Sequence, residues 1–528
     1  MRKTLLWRGH RRTVAALAAA TLALTTAGAA PALARDHGSG SDSRKLQKAV
    51  TLKGVERHLT ALQSIADDNK GTRASGTPGF KASVDYVVGQ LRRAGYRPAV
   101  QEFDFPFFEE TAPSTFALTS PATTYVNGTD FATMEFSGSG SPTASVVPVD
   151  VRIPPGPTPS GNTSGCEPAD FTGFPTGAVA LVQRGTCTFG QKAANAQAAG
   201  ASAVVIFNEG QPGRDGLLEG TLGQVVGIPA IGTTFAVGED LYNRSQAAGG
   251  ATVRVTTSTF SETRQTYNVI AQTKRGRTNN VVMAGAHLDS VLAGPGINDN
   301  GSGSAAILEI ARQLAEESIK TNNAVRFAWW GAEESGLLGS AHYVESLPVA
   351  EREKIAAYLN FDMIASPNYF LGIYDGDGDA FGTAGPAGSG ALEAIFEKYF
   401  ADKGLPSEGT EFSGRSDYAA FIENDIPAGG LFTGAEEIKT AEQAAKYGGT
   451  AGTAFDVCYH QACDTIGNVN EEALDINSDA IADAIASLAR DTSAVNGVTS
   501  GGKGHGGDDR DDRDDPDEHD NKGHLKAG

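Results

Sequence analysis

Residues Asn279–Ala306 read NNVVMAGAHLDSVLAGPGINDNGSGSAA. An apolar run ends in His287-Leu288-Asp289, a loop with Gly and Pro follows, and Asp299 stands between two asparagines ahead of small, helix-opening residues. In a strand, residues two apart face the same side, so His287 and Asp289 leave the strand's C-terminal end together. Open α/β sheets collect ligands at that edge. A metal-bound imidazole needs a partner for its other nitrogen, and a carboxylate supplies one. His287 as ligand and Asp289 as its orienting partner fit that pairing. Asp299 follows in a loop long enough to fold back over the edge, and its two carboxylate oxygens suit two metals at once.

The pattern repeats downstream. AVRFAWWGAEESGLLGS runs from Ala324 into Glu333-Glu334; adjacent carboxylates point different ways, so one can bind metal while the other moves protons. IAAYLNFDMIA places Asp362 after a third apolar run. FDVCYHQACDT offers His460, next to Tyr459 and between Cys458 and Cys463. A lone His, or a lone Glu-Glu pair, is ordinarily a hydrogen-bonded or solvated group. Acids and histidines at successive strand ends point instead to a metal centre.

Around these motifs, strands and helices alternate to about residue 490, the pattern of a mostly parallel or mixed α/β sheet with helices on both faces. Upstream, VERHLTALQSIADD and GFKASVDYVVGQLRRAG carry helical periodicity, the second ending at Gly95, and YRPAVQEFDF reads as a strand. Residues 113–260 differ, with Thr-, Ser-, Pro- and Gly-rich short runs followed by a strand, an Ala-rich helix and another strand. The simplest architecture is one α/β domain, residues 45–112 and 261–495, split by a small β-rich insert; 528 residues exceed one ordinary domain. Residues 1–34 carry a basic start, an Ala/Leu-rich run and a small-x-small motif at Ala32–Ala34, which reads as an export signal rather than a membrane anchor. The Arg11-Arg12 pair leaves the export route open. Residues 35–44 read as linker and residues 496–528 as a disordered acidic tail. A net charge of −20 argues against a nucleic-acid partner. Four cysteines in an exported chain suggest two disulfides, most simply the local pairs Cys166–Cys187 and Cys458–Cys463.

The chain resembles peptidase family M28, the zinc aminopeptidases, in its secreted actinobacterial leucine-type form. AGAHLDSV, GINDNGSG, WWGAEESGLLGS, LNFDMIASPN, GRSDY, GGLFTGAEE and CYHQACDT stand in the family's order, as does GTRASGTPGFKASVDYV at residues 71–87. The resemblance implies two zinc ions held by His287, Asp299, Glu334, Asp362 and His460, with Asp299 bridging. Glu333 matches the general base on the metal-bridging water, and Tyr459 the group that steadies the oxyanion. Arg415, with Glu333 and Asp362, matches groups near the substrate's amino terminus. Met363, Gly414 and Phe432 match a hydrophobic pocket for the first side chain. Asp475 and Asp479 match two acids of a calcium site whose third, early acid this chain lacks, so calcium is not expected. DGDGDAFG at Asp375 reads as a surface turn, because it lacks the Gly and terminal Glu of a calcium loop.

The insert resembles the protease-associated (PA) domain through Arg184, Gly185, Cys187, Phe189 and Lys192. It reads as a lid or as a passive insert. The expected activity is secreted, monomeric hydrolysis of the N-terminal residue, preferably Leu-like, from peptides and proteins, with no membrane partner after signal cleavage. A carboxypeptidase or dipeptidase is the rival enzyme. Glutaminyl cyclisation uses one zinc in related folds, and receptor-like relatives have lost zinc ligands; the full set of five ligands here argues against both.

Overall fold

The computed structural model describes residues 39–499. The export signal read over residues 1–34 lies outside the described residues, as do residues 500–528 of the tail read over 496–528. Asn496 ends a helical turn and Val498 bridges to Thr492, so the tail reading does not hold for its first residues. Helices α1 (Ser39–Ala49), α2 (Leu52–Asp68) and α3 (Pro78–Arg93) come first. Thr51 and Thr77 cap α2 and α3 by accepting from the backbone N–H of Gly54 and Phe80. Gly95, at φ 87°, enters the left-handed region, and the Tyr96 N–H closes on the Leu91 carbonyl at 2.9 Å, ending α3.

Next come β1 (Ala99–Thr119), β2 (Ala122–Tyr125), β3 (Phe131–Thr133), β4 (Thr143–Pro148), β5 (Val179–Gln183), α4 (Phe189–Ala198), β6 (Ala203–Phe207), β7 (Ala230–Thr233), α5 (Phe235–Gln246) and β8 (Thr252–Gln272). After them run β9 (Arg277–His287), α6 (Gly303–Glu316), β10 (Asn323–Trp330), α7 (Leu338–Ser346), α8 (Val349–Arg352), β11 (Ile355–Phe361), β12 (Gly372–Tyr374), α9 (Ser389–Lys403), β13 (Glu408–Thr410), α10 (Ala419–Ile422), β14 (Ala428–Phe432), α11 (Ala441–Tyr447) and α12 (Glu471–Arg490).

Parallel strands in the order β14-β11-β9-β10 form the centre of the main sheet. Strand β12, antiparallel to β14, and β13 extend one edge; β8, antiparallel to β10, and then β1 extend the other. The whole of β11 and the stretch Asn280–His287 of β9 are buried, as parallel strands covered on both faces must be. Leu59, Val84, Ile307 and Ile485 from α2, α3, α6 and α12 pack in one core with Val282 and Leu359. Tyr343 and Phe421, from α7 and α10, belong to another, with Met283 and Tyr358. Successive residues of a strand point to opposite faces, so the sheet carries helices on both.

The insert is joined by pairing rather than by linkers. The β1–β8 ribbon runs antiparallel from Ala99–Ile270 to Leu118–Val253, with irregularities near Glu110, Ala112 and Thr115. Phe103, Phe105 and Phe107, on the first half of β1, pack with Ala332, just past the end of β10. Phe116, Leu118, Val253 and Val255, from the other half, belong to the insert's own core. Strands β4, β5, β6 and β7 of the insert are parallel, β3 closes the far edge, and β4 pairs back onto β8. The texture changes read at residues 112 and 260 therefore fall inside continuous strands.

The linker reading of residues 35–44 is corrected in part, because α1 begins at Ser39. Its polar residues find partners on α12: Ser43 donates to Asp483, and Asp42 pairs with Arg490 at 3.5 Å. Both sequence-suggested disulfides, Cys166–Cys187 and Cys458–Cys463, are present.

Glu110 faces Thr259 across the ribbon. A chain in which Asn-Gly, a two-residue hairpin turn, replaces residues 111–258 should keep the catalytic half folded. Circular dichroism should show a cooperative thermal transition; a non-cooperative melt would mean that the insert's core is needed for folding.

Candidate metal centre

The strand ends meet as their spacing suggests. His287 is the last residue of β9, Glu333 and Glu334 follow β10, and Asp362 follows β11. Asp299 lies in the irregular turn before α6. Gly303 lets that helix start against β11; a Cβ there would sit 2.2 Å from the Phe361 carbonyl oxygen. Ala332, Met363 and His460, each in the carboxylate–histidine cluster or next to a member of it, have φ of 54°, 50° and 57°. A non-glycine residue in this region costs about 1 kcal/mol or more, and such cost gathers at sites where side-chain direction is fixed.

Asp299 is shared between the two histidines. Its Oδ1 lies 3.2 Å from His287 Nε2, and its Oδ2 lies 3.3 Å from His460 Nε2. Asp362 Oδ1 is 3.2 Å from the same His287 nitrogen, and Glu334 Oε2 is 3.0 Å from the same His460 nitrogen. The side chains thus fall into two half-sites, His287 with Asp362 and His460 with Glu334, joined by one carboxylate. Glu333 Oε2 stands 3.9 Å from His287 Nε2. The other nitrogen of His287, Nδ1, is 3.2 Å from the Asp289 main-chain oxygen and 3.6 Å from its carboxylate. Asp289 therefore serves His287 chiefly through its backbone, while its Oδ1 accepts from the Glu333 N–H at 3.3 Å.

The donors fit divalent cations of zinc type: imidazole nitrogens and carboxylates, most of them buried. One oxygen of Glu334, Oε1, is buried with no hydrogen-bond partner. Burial pushes Glu333 well above the ordinary carboxylate range; His287 opposes this, while Asp362, Asp417 and Glu334 add to it. Burial and then Asp299 push Glu334 up to about 7. Burial alone would lower both histidines, but Glu333 and Asp362 raise His287, and Glu334 and Asp299 carry His460 to about 11. Burial would raise Asp299, yet its bonds to both histidines hold it below the usual range. These shifts describe an excess of buried negative charge, which bound divalent metal would neutralise.

Several residues that hold this arrangement were not read from the sequence. Arg73 is fully buried and donates from Nε to the Pro295 carbonyl at 2.8 Å, from one terminal nitrogen to Gly296 at 2.5 Å, and from the other to Leu288. Its burial lowers it to about 10, which leaves it charged at neutral pH. Asp464 accepts from the backbone N–H of Asn298 and Asp299 at 2.9 and 3.0 Å. Asp456 accepts from the Asn298 side chain at 2.7 Å and from the Cys458 N–H at 2.8 Å, tying the His460 loop to the Asp299 loop. Ser416 donates to Asp362 Oδ2 at 2.6 Å.

A cavity of about 840 Å³ opens over the cluster. Its apolar wall includes Met363, Phe370, Phe432 and Phe455, with Gly414 at the rim and Tyr459 beside His460. The Tyr459 and His460 rings stack at 3.9 Å. Arg415 also lines this cavity, but its guanidinium pairs with Glu436 at 2.8 Å and approaches Tyr459 at 3.4 Å. No bond joins it to Glu333 or Asp362. DGDGDAFG forms a turn exposed from Asp377 onward, as read; its first residue, Asp375, is buried and lies with Asp377, Asp379 and Glu393 close enough to face one ion. Both Asp375 oxygens, however, already accept from the N–H groups of Gly378 and Phe381. Asp475 and Asp479 lie one turn apart on α12, and Asp479 is raised to about 6 by burial and then by Asp475.

The Peptidase family M28 pattern matches residues 268–485, and the PA domain pattern matches residues 142–241. An "Aminopeptidase" of Pseudomonas aeruginosa is 50% identical over 455 residues, covering 85% of this chain and 83% of that protein. The chain belongs to peptidase family M28. "Leucine aminopeptidase 2" of Trichophyton rubrum is 42% identical, over 84% of this chain and 86% of that protein. Among solved structures, an aminopeptidase from Aneurinibacillus sp. strain AM-1 aligns with a TM-score of 0.64 at 26% identity, over 84% of this chain and 95% of that one. A zinc aminopeptidase from Bacillus subtilis aligns with a TM-score of 0.55 at 25% identity, over 83% and 94%. The M28 match ends before the last turns of α12, and the PA match sits wholly between β1 and β8 of this M28 chain.

A pH dependence follows for the chelated protein. Glu334 and Asp417 are both raised to about 7, chiefly by burial. The unfolded chain releases these protons near pH 4, so the folded state binds more protons across about pH 4–7 and stability falls as pH rises through that window. The raised histidines add the same sign above about pH 6.5. Chelated protein should melt at a lower temperature at pH 8 than at pH 5.5, and saturating zinc should reverse the order; an equal or higher melting temperature at pH 8 without metal would contradict the charge balance described.

Proposed function

We propose that this zinc-dependent M28 aminopeptidase is an exported monomer that uses two zinc ions to remove N-terminal residues with large apolar side chains, Leu above all, from peptides and proteins. The observation that carries the reading is the division of Asp299 between His287 and His460. His287 and Asp362 would hold one ion, His460 and Glu334 the other, and Asp299 both. Bound there, the ions supply Lewis-acid polarisation of the scissile carbonyl and a nucleophilic water at neutral pH.

The chain's own groups do the rest. Glu333 stands beside the cluster with a raised proton affinity, so its carboxylate takes the proton from the attacking water and returns it to the departing amine nitrogen. Tyr459 is held protonated, by burial first and then by Asp299 and Glu334, and its hydroxyl donates to the developing oxyanion. The first side chain enters the apolar wall of Met363, Phe370, Phe432 and Phe455. The substrate's ammonium meets an acidic mouth, where Glu333, Glu334, Glu411 and Glu437 line the same cavity. A carboxypeptidase would need a cation free to receive a C-terminal carboxylate, whereas Arg415 is engaged by Glu436 at 2.8 Å and lies near Glu437 at 3.7 Å.

Blocked substrates separate the two. Leucyl anilide should be hydrolysed, N-acetyl-leucyl anilide should not, and a peptide amidated at its C-terminus should be cleaved as well as the free acid. Turnover of the acetylated substrate would overturn the assignment. Glu333→Gln should lower kcat by about a thousandfold while elemental analysis still finds two zinc ions per chain. Metal loss in that variant would make Glu333 a ligand rather than a base.

A further inference from the structure

A second cavity, of about 230 Å³, lies on the other side of Glu334 from the apolar wall. Its floor comes from the catalytic half, with Ser75, Asp289, Leu292 and Ser335. Its other wall comes from the ribbon and insert, with Phe108, Glu109, Glu135 and Phe136. Glu334 lines both cavities, so both border the candidate metal centre. For a peptide whose first side chain fills the apolar wall and whose first amide crosses the centre, this space lies on the far side of Glu334, open to its second residue.

The lining is acidic and includes no Lys, Arg or His. Glu110 is satisfied by Ser114 and Thr133. The Glu109 side chain makes no hydrogen bond or ion pair among the described residues. Glu135 is exposed by residue, and its carboxylate bonds the Thr221 side chain; burial of that carboxyl raises it above the usual range while Thr221 and then His460 oppose the rise. Arg264 stacks 3.5 Å over the Phe107 ring, with its charge taken by Glu262 at 2.6 Å. Two carboxylate oxygens on the floor, Asp289 Oδ2 and Glu334 Oε1, are buried without a donor in the chain, Asp289 being wholly shielded from solvent. The insert's share of the wall is built in. Phe136 holds φ 67°, is buried, and packs edge-on to Phe108 at 5.7 Å. The backbone N–H of Glu135 bonds the Gly220 carbonyl at 3.1 Å, and its carbonyl accepts from Leu222 at 3.1 Å.

We propose that this cavity is the subsite for the second residue of the substrate, built jointly by the catalytic half and the base of the insert, and that Glu109 and Glu135 make it select Lys or Arg there and reject Asp or Glu. The assignment rests on the aminopeptidase reading and names part of its substrate class. It gives the insert a share in specificity rather than the role of a passive passenger.

The test compares peptides Leu-Lys-Ala and Leu-Glu-Ala, with leucyl anilide, which has no second side chain, as reference. In low salt, kcat/KM should favour the Lys peptide by about tenfold, equivalent to about 1.4 kcal/mol. The double variant Glu109→Gln/Glu135→Gln should bring that ratio to within about twofold, and added salt should weaken the wild-type preference. Binding of the same two sequences with the first amide reduced to a methyleneamine, read by calorimetry on the zinc-loaded protein, measures the subsite without turnover. A wild-type ratio near unity in both assays, or a preference that survives the double variant, overturns the subsite. Absent anilide hydrolysis with intact Lys-over-Glu binding overturns the aminopeptidase reading and leaves the subsite standing.

Discussion

The architecture of the catalytic half answers one electrostatic constraint: a single carboxylate, Asp299, must face two histidines at once, inside a ring of further carboxylates shielded from water. Left unbalanced, buried charge of one sign is prohibitive. The chain balances part of it with fixed dipoles. Asp464 takes the N–H groups of Asn298 and Asp299, Asp289 takes that of Glu333, and Ser416 donates to Asp362. Arg73 contributes a full positive charge from below, yet it spends its donors on backbone carbonyls of the Leu288–Gly296 loop rather than on the carboxylates themselves. That choice leaves the acid oxygens free to face a metal while the loop that carries Asp299 is pinned.

The same constraint explains why the backbone departs from its comfortable range where it does. A strand exit sends successive side chains to opposite faces, which would turn Glu333 or Glu334 away from the centre. The left-handed turn at Ala332 redirects the chain so that both line the cavity. Met363 does the same service after Asp362, and His460 reaches Asp299 from within the loop closed by Cys458–Cys463. Rigid strands supply position, and a few strained junctions supply aim.

How much of this was legible in the sequence depended on range. His287, Glu333, Glu334 and Asp362 were legible because an apolar run ending in an acid or histidine is a local signal of a buried strand's exit. His460 carried no such signal, and only its neighbours Tyr459 and Cys458, and the family resemblance, pointed to it. Arg73 was invisible because its partners lie 215 or more positions away, and an arginine among Gly, Thr and Ser looks like a solvated turn residue. Ser416 and Asp464 were hidden for the same reason. Helix α1 was missed because its stabilisation comes from α12 at the far end of the chain rather than from its own composition, which is polar until Leu46.

The insert's attachment bears on how such a chain gains specificity without disturbing its chemistry. A lid on flexible linkers would bring its residues to the centre only part of the time, and each visit would cost ordering entropy. Here β1 and β8 run from one core to the other, so Glu109 is positioned by the same hydrogen-bonded ladder that borders β10, and Phe136 packs against Phe108 of that ladder. The irregularities near Glu110 and Ala112 bend that ladder where it leaves the catalytic half, close to Phe107 and Phe108, and strand irregularities commonly sit where a sheet edge must be re-aimed toward a site. Divergence within the insert can then alter the wall that meets the substrate's second residue, while the carboxylate–histidine cluster, held by β9, β10 and β11, stays as it is.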